Sequence, residues 1–154
     1  AQHPSESIPF LLTRMIAYAL NYEQGLEFSP KGLGEPDDPA LSSDDPRGGK
    51  GLWIEIGNPS ARRLHKASKA AKKVKVYTYK NPEPFLKECE KEKVHNLHQI
   101  EVFSLEANFL EKLEQELTRN NEWSIMRDQE SLTINVGENS YSGDLKSIST
   151  KKES

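Results

Sequence analysis

Ile8, Leu12, Met15, Ile16, Ala19 and Leu20 recur at spacings of three and four, which predicts an amphipathic helix over residues 5–23. Ser5 or Ser7 can cap it, Pro9 fits its first turn, and Gly25 stops it. A long polar connection follows over 29–51, punctuated by Pro30, Pro36, Pro39, Pro46 and Gly48-Gly49, with room only for short strands near 27–29 and 39–42. Residues 51–57, Gly-Leu-Trp-Ile-Glu-Ile-Gly, then read as a strand covered on both faces, interrupted by the carboxylate of Glu55. Asn58-Pro59-Ser60 ends that strand and opens a helix, with Asn58 as a cap candidate. Leu64, Ala67, Ala71 and Val74 mark its buried stripe, and basic residues fill its other faces. The β-branched and aromatic run at 74–79 is a second strand, so strand, helix and strand form a βαβ unit with parallel strands.

Further along, Phe85, Leu86 and Cys89 support a short helix over 82–93, and 98–105 reads as a strand. Phe109, Leu110, Leu113 and Leu117 predict a helix over 107–119. The runs 123–126 and 132–136 make a hairpin around Asp128-Gln129-Glu130. Beyond Gly137 the chain is polar, with only Tyr141, Leu145 and Ile148 to bury, and 149–154 reads as a frayed tail. The pattern is that of one α/β domain over 1–148, a mixed central sheet flanked by helices.

Composition narrows the class. A chain of 154 residues with 34% hydrophobic and 29% charged residues is large enough to fold on its own core. The longest apolar stretch, 9–20, is interrupted by Thr13 and Arg14, so no membrane span is expected. Cys89 is the single cysteine, which rules out an internal disulfide, and the chain opens on no signal-like segment, so a cytoplasmic protein is expected. The first residue is Ala1 rather than methionine, and the natural chain is expected to begin further upstream.

The net charge of 21 − 24 = −3 conceals a local asymmetry. Glu35, Asp37, Asp38, Asp44 and Asp45 are followed by Arg62, Arg63, Lys66, Lys69, Lys72, Lys73 and Lys75, with no acid between 62 and 75. Such segregation marks either a solvated surface or a phosphate-binding face.

Most catalytic chemistries find no support. No Gly-rich loop stands between a strand and a helix, no Gly-x-Ser-x-Gly elbow is present, and His95 and His98 lack the further ligands a zinc site needs. Cys89 sits on an apolar stripe, as a small buried hydrophobe does. One constellation remains: an acidic loop, a strand bearing Glu55, and a following helix on which Arg63 and Lys66 can lean back over that strand's C-terminal end. Two carboxylates there could hold Mg²⁺, and a neighbouring lysine could orient water or neutralise phosphate. The same residues could equally form a plain ion pair of Glu55 with Arg63 or Lys66.

His3-Pro4-Ser5-Glu6, the run Arg14-Met15-Ile16-Ala17-Tyr18-Ala19-Leu20, the run Leu52-Trp53-Ile54-Glu55-Ile56-Gly57-Asn58-Pro59, then Arg63-Leu64-His65-Lys66-Ala67 and Val76-Tyr77-Thr78-Tyr79 resemble the YaeQ family of small bacterial proteins. That resemblance implies a fold similar to the PD-(D/E)XK restriction-endonuclease core, and further residues before the His-Pro-Ser-Glu segment. Glu55, Lys66, Glu6 and Arg63 match that family's pattern, which implies a candidate site; a Mg²⁺ there would rely on Glu55 with Asp38 or Asp37 from the loop, Lys66 would orient water or phosphate, and the basic run adds Lys69 and Lys73 beside Arg63 toward a nucleic-acid backbone. Where relatives carry acids, this chain has Ala40 and Gly51. Two functions follow as expectations: a Mg²⁺-dependent phosphodiesterase or nuclease, or a non-catalytic binding or regulatory module that retains the fold.

Overall fold

A computed structural model describes residues 7–22, 27–28, 39–117 and 122–148. In chain order the elements are α1 (Ile8–Asn21), β1 (Glu27–Phe28), β2 (Leu41–Asp44), β3 (Lys50–Ile56), α2 (Ala61–Ala70), β4 (Ala71–Thr78), α3 (Glu83–Lys91), β5 (Glu101–Leu105), α4 (Ala107–Glu114), β6 (Trp123–Asp128), β7 (Ser131–Val136) and β8 (Asn139–Ile148). The described strands form one sheet in the order β1-β2-β3-β4-β5-β8-β7-β6. β4 runs parallel to β3 and to β5, and every other pairing is antiparallel. This is a mixed α/β architecture with a curled sheet flanked by helices.

Strand alternation divides the interior into two cores. Leu52, Ile54 and Ile56 of β3 face one side, where they meet Leu12 and Ile16 of α1, Leu110 and Leu113 of α4, and the inner face of β7 and β8. Trp53 faces the other side with Leu64 and Ala67 of α2, Phe85, Leu86 and Cys89 of α3, and Val76 and Val102. A central strand covered on both faces has few solvated positions, which accounts for the near-continuous apolar run.

The local chemistry follows the sequence at several termini. Ser7 caps α1 by accepting the Phe10 amide at 3.2 Å, with Pro9 in the first turn, and Ser5 lies outside the described residues. Ser60, rather than Asn58, caps α2, accepting the Arg63 amide at 3.2 Å. Asn58 instead donates to the Asn81 carbonyl and accepts from the buried Thr78 hydroxyl, tying the ends of β3 and β4 together. Cys89 is buried, and burial pushes its thiol pKa up to about 11, so it is a protonated core group at neutral pH.

Three expectations are corrected. Helix α2 ends at Ala70, and Ala71 already has extended backbone pairing with Lys50, so Ala71, Lys72, Lys73 and Val74 belong to β4. Of 98–105 only Glu101–Leu105 is strand, because Leu97–Gln99 forms a single 3-10 turn. The polar segment after Gly137 is the long strand β8, which pairs with β7 through its first half and β5 through its second and so joins the two parts of the sheet. Backbone ladders on both sides hold it, with Leu145 fully buried. Among the described residues no helix is long and apolar enough to cross a membrane.

Candidate functional site

Glu55 lies one residue before the end of β3 and, by alternation, shares the side of Trp53, beneath α2. The turn through Gly57, Asn58, Pro59 and Ser60 brings the first turn of α2 back over that side. Gly57 has φ +89°, a conformation that favours glycine, and its amide donates to the Tyr77 carbonyl at 2.9 Å. Arg63 therefore reaches Glu55 as a two-pronged clamp, with Nε on Oε1 at 2.6 Å and Nη2 on Oε2 at 3.2 Å. Glu55 is 4% exposed, and the Arg63 side chain is 26% exposed. Fork-to-fork pairing of this kind is the strongest arrangement available to a carboxylate among protein side chains.

Burial and Arg63 act on Glu55 in opposite directions. Loss of solvation raises its pKa above the ordinary carboxylate value, the guanidinium lowers it through hydrogen bonding and charge, and burial prevails. The Trp53 indole N–H is close enough to favour the ionised carboxylate slightly, yet it makes no hydrogen bond of normal geometry and is buried without a partner.

The other expected site residues disperse. Asp37, Asp38 and Glu6 lie outside the described residues. Lys66 and Lys69 are on α2 with exposed side chains, one and two turns beyond Arg63. Lys73 is corrected: it stands on β4 rather than on a helix, it points to the side of the sheet away from Glu55, and it pairs with Glu101 at 3.4 Å. Asp44 and Asp45 of the acidic segment sit at the far end of β3 from Glu55, where Lys50 pairs with Asp44 at 3.0 Å and Lys72 with Asp45 at 2.6 Å. That part of the charge asymmetry is cancelled locally.

Both Glu55 oxygens are engaged by a cation. The β2–β3 register, extended one step beyond Leu41 and Ile54, sets position 40 opposite Glu55, and Ala40 offers no donor. Among the described residues no group of three His, Cys, Asp or Glu side chains converges as a metal site would require. Sequence reasoning did not single out Lys75, a second charged residue within an apolar strand. Its Nζ donates to the Asn21 Oδ1 at 2.7 Å, and Asn21 donates in turn to the Tyr77 hydroxyl at 3.0 Å. The signal was the same as for Glu55: an ionisable group amid Val74, Val76 and Tyr77.

These features define a mixed α/β protein with a clamped acid at the end of a central parallel strand. A family model described as "YaeQ protein" matches residues 1–144, and the chain belongs to the YaeQ family. It is 35% identical over 79 residues to the uncharacterized protein YaeQ of Escherichia coli K12, and 34% identical over the same length to that of Salmonella typhi. Those alignments span 51% of this chain and 43% of each relative. The crystal structure of a YaeQ protein from Xanthomonas axonopodis pv. citri superposes with a TM-score of 0.84 at 25% identity, covering 98% of this chain and 85% of that one. One from Pseudomonas syringae superposes at 0.83 and 24% identity, covering 98% and 83%, and shows the same fold.

Proposed function

We propose that this YaeQ-family protein is a non-catalytic binding module with a nuclease-like frame, in which the strand acid has become a structural anchor for α2. The clamp of Arg63 on Glu55 carries this reading, because a carboxylate already neutralised through both oxygens is a poor ligand for Mg²⁺. Ala40, without a donor opposite Glu55, supports it. On this reading the exposed face of α2, with Arg62, Lys66 and Lys69, meets a nucleic-acid backbone through charge, while Arg63 is committed inward.

The alternative, a Mg²⁺-dependent phosphodiesterase, rests on the resemblance of Glu55 and Lys66 to a restriction-endonuclease site, and the same experiment separates the two. Thermal melting is followed as Mn²⁺ or Mg²⁺ is added, and single- and double-stranded DNA and RNA are incubated with the protein and either ion. The binding module gives no metal-dependent rise in melting temperature and no cleavage. Cleavage that Glu55→Gln abolishes would overturn the proposal and establish the nuclease.

A further inference from the structure

On the face of the sheet opposite Glu55, we propose that Lys73, Lys75 and Arg127 form a site for a phosphate monoester, where the curled sheet brings Arg127 of β6 back over Phe103 of β5. The proposal stands apart from the reading of Glu55, since it uses other residues on the other face.

The curl is the first observation. β6 is three places from β5 in the sheet, yet the Arg127 guanidinium lies 5.2 Å from the centre of the Phe103 ring on β5. A flat sheet would hold those strands roughly 14 Å apart, at about 4.8 Å per strand, so the far edge has folded over. Beneath it, Lys73 and Lys75 share one side of β4, and Glu101 stands opposite Lys75 in the strand register. The Glu101 carboxylate goes to Lys73, at 3.4 Å.

Lys75 is thereby left half-buried, with its ammonium hydrogen-bonded to the neutral amide oxygen of Asn21. Asn21 is itself buried and fixed, its amide nitrogen donating to the Ala17 carbonyl at 2.8 Å and to the Tyr77 hydroxyl. The Tyr77 oxygen accepts that bond. Burial lowers the proton affinity of Lys75, the positive charges of Lys73 and Arg127 lower it further, and Glu101 restores part. An ammonium partly withdrawn from water is favoured by an anion beside it.

Charge sets the ligand class. Three cations against one acid leave 3 − 1 = +2 among these groups. A phosphate monoester carries about −1.5 to −2 at neutral pH and accepts several hydrogen bonds, so it matches both the charge and the donors, whereas a diester supplies one charge. The bland account, in which Lys75 merely braces the C-terminal end of α1 through Asn21, explains one hydrogen bond. It leaves out Arg127, which lies over the Phe103 ring with its Nε donating to the Gln129 carbonyl at 3.0 Å, and Lys73, on the same side of β4 as Lys75.

The test is titration calorimetry at constant ionic strength, with chloride as the balancing anion, using inorganic phosphate and a nucleoside 5′-monophosphate as probes. Wild-type protein binds at least one of them. Lys75→Gln, which can still hydrogen-bond Asn21, and Arg127→Gln each weaken binding about tenfold or more, as loss of one charge-assisted bond predicts. Lys87→Gln, on α3, leaves it unchanged. Tighter binding of the monophosphate assigns an organic monoester, and equal binding assigns free phosphate. Should Lys75→Gln fail to fold, the exposed Arg127 carries the test. Absence of binding to the wild type, or affinity unchanged in Arg127→Gln, overturns the proposal.

Discussion

Removing Arg63 should expose how much of this fold rests on one buried charge. In Arg63→Ala, Glu55, which is 4% exposed in the intact protein, loses the guanidinium from its two oxygens while remaining under α2. Breaking a buried pair from the cationic side costs about 3–5 kcal/mol, because the remaining charge is desolvated and uncompensated. The loss should depend on pH in a definite sense. Burial already raises the folded-state pKa of Glu55 above its unfolded value, and loss of Arg63 removes the main opposing influence and raises it further. The folded state then binds the proton more tightly than the unfolded state, so stability falls as pH rises through the window between the unfolded and folded pKa values. Urea unfolding at pH 5 and pH 7.5 measures both quantities. The destabilisation should be several kcal/mol at pH 7.5 and smaller at pH 5, because lowering the pH toward the raised folded-state pKa favours the neutral carboxyl. A cost below about 1 kcal/mol at pH 7.5, on the scale of an exposed pair, would refute the claim that Glu55 is buried and clamped.

Glu55→Gln should cost less than Arg63→Ala, about 1–2 kcal/mol by urea unfolding, since the neutral amide can still accept from Arg63 and the partly exposed guanidinium keeps access to water. Gly143→Ala should destabilise by about 1–3 kcal/mol, because an added Cβ would lie 2.6 Å from the Phe109 ring. A melting temperature equal to wild type would show that α4 can shift to admit a methyl group. If Arg62, Lys66 and Lys69 each meet one duplex phosphate, fluorescence anisotropy should give a slope of log K against log salt near −2.7, about −0.9 per contact. Lys69→Ala should shrink that slope by about 0.9, whereas Lys72→Ala, whose charge is held by Asp45, should leave it unchanged.

The elements most legible in the sequence are those whose periodicity has one interpretation. Helix α1 shows an apolar stripe with a serine cap and a proline in its first turn, and β3 is an apolar run between glycines. The end of α2 was not legible, because Leu64, Ala67, Ala71 and Val74 keep helical spacing straight into β4. Pairing of Ala71 with Lys50 settles the matter, and that contact lies in tertiary structure. The same misreading placed Lys73 on the α2 surface, since a change of period from 3.6 to 2 sends a side chain to a different face. β8 was hidden by its own composition. Its Gly143 lies in mid-strand, where Phe109 leaves no room for a side chain.

For the candidate site, an ionisable residue in an apolar strand announces that a partner exists without saying which. Glu55 and Lys75 send the same signal from adjacent strands, and the structure answers it in opposite ways. Glu55 receives a full countercharge from a helix eight residues on, an interaction local enough for the Arg63 spacing to suggest it. Lys75 finds a neutral amide 54 residues away, while its register partner Glu101 is drawn to Lys73. The difference lies in distance along the chain: a short βα turn brings its helix back over its own strand, so the Glu55 pairing is written within ten residues. The surroundings of Lys75 depend on the curl of the whole sheet, which is set by β8 and by the return of β6 over Phe103. A charge whose partner is local has been turned to structure here, whereas Lys75, which among the described residues hydrogen-bonds an amide and shares Glu101 with Lys73, is the charge that the proposed ligand would satisfy.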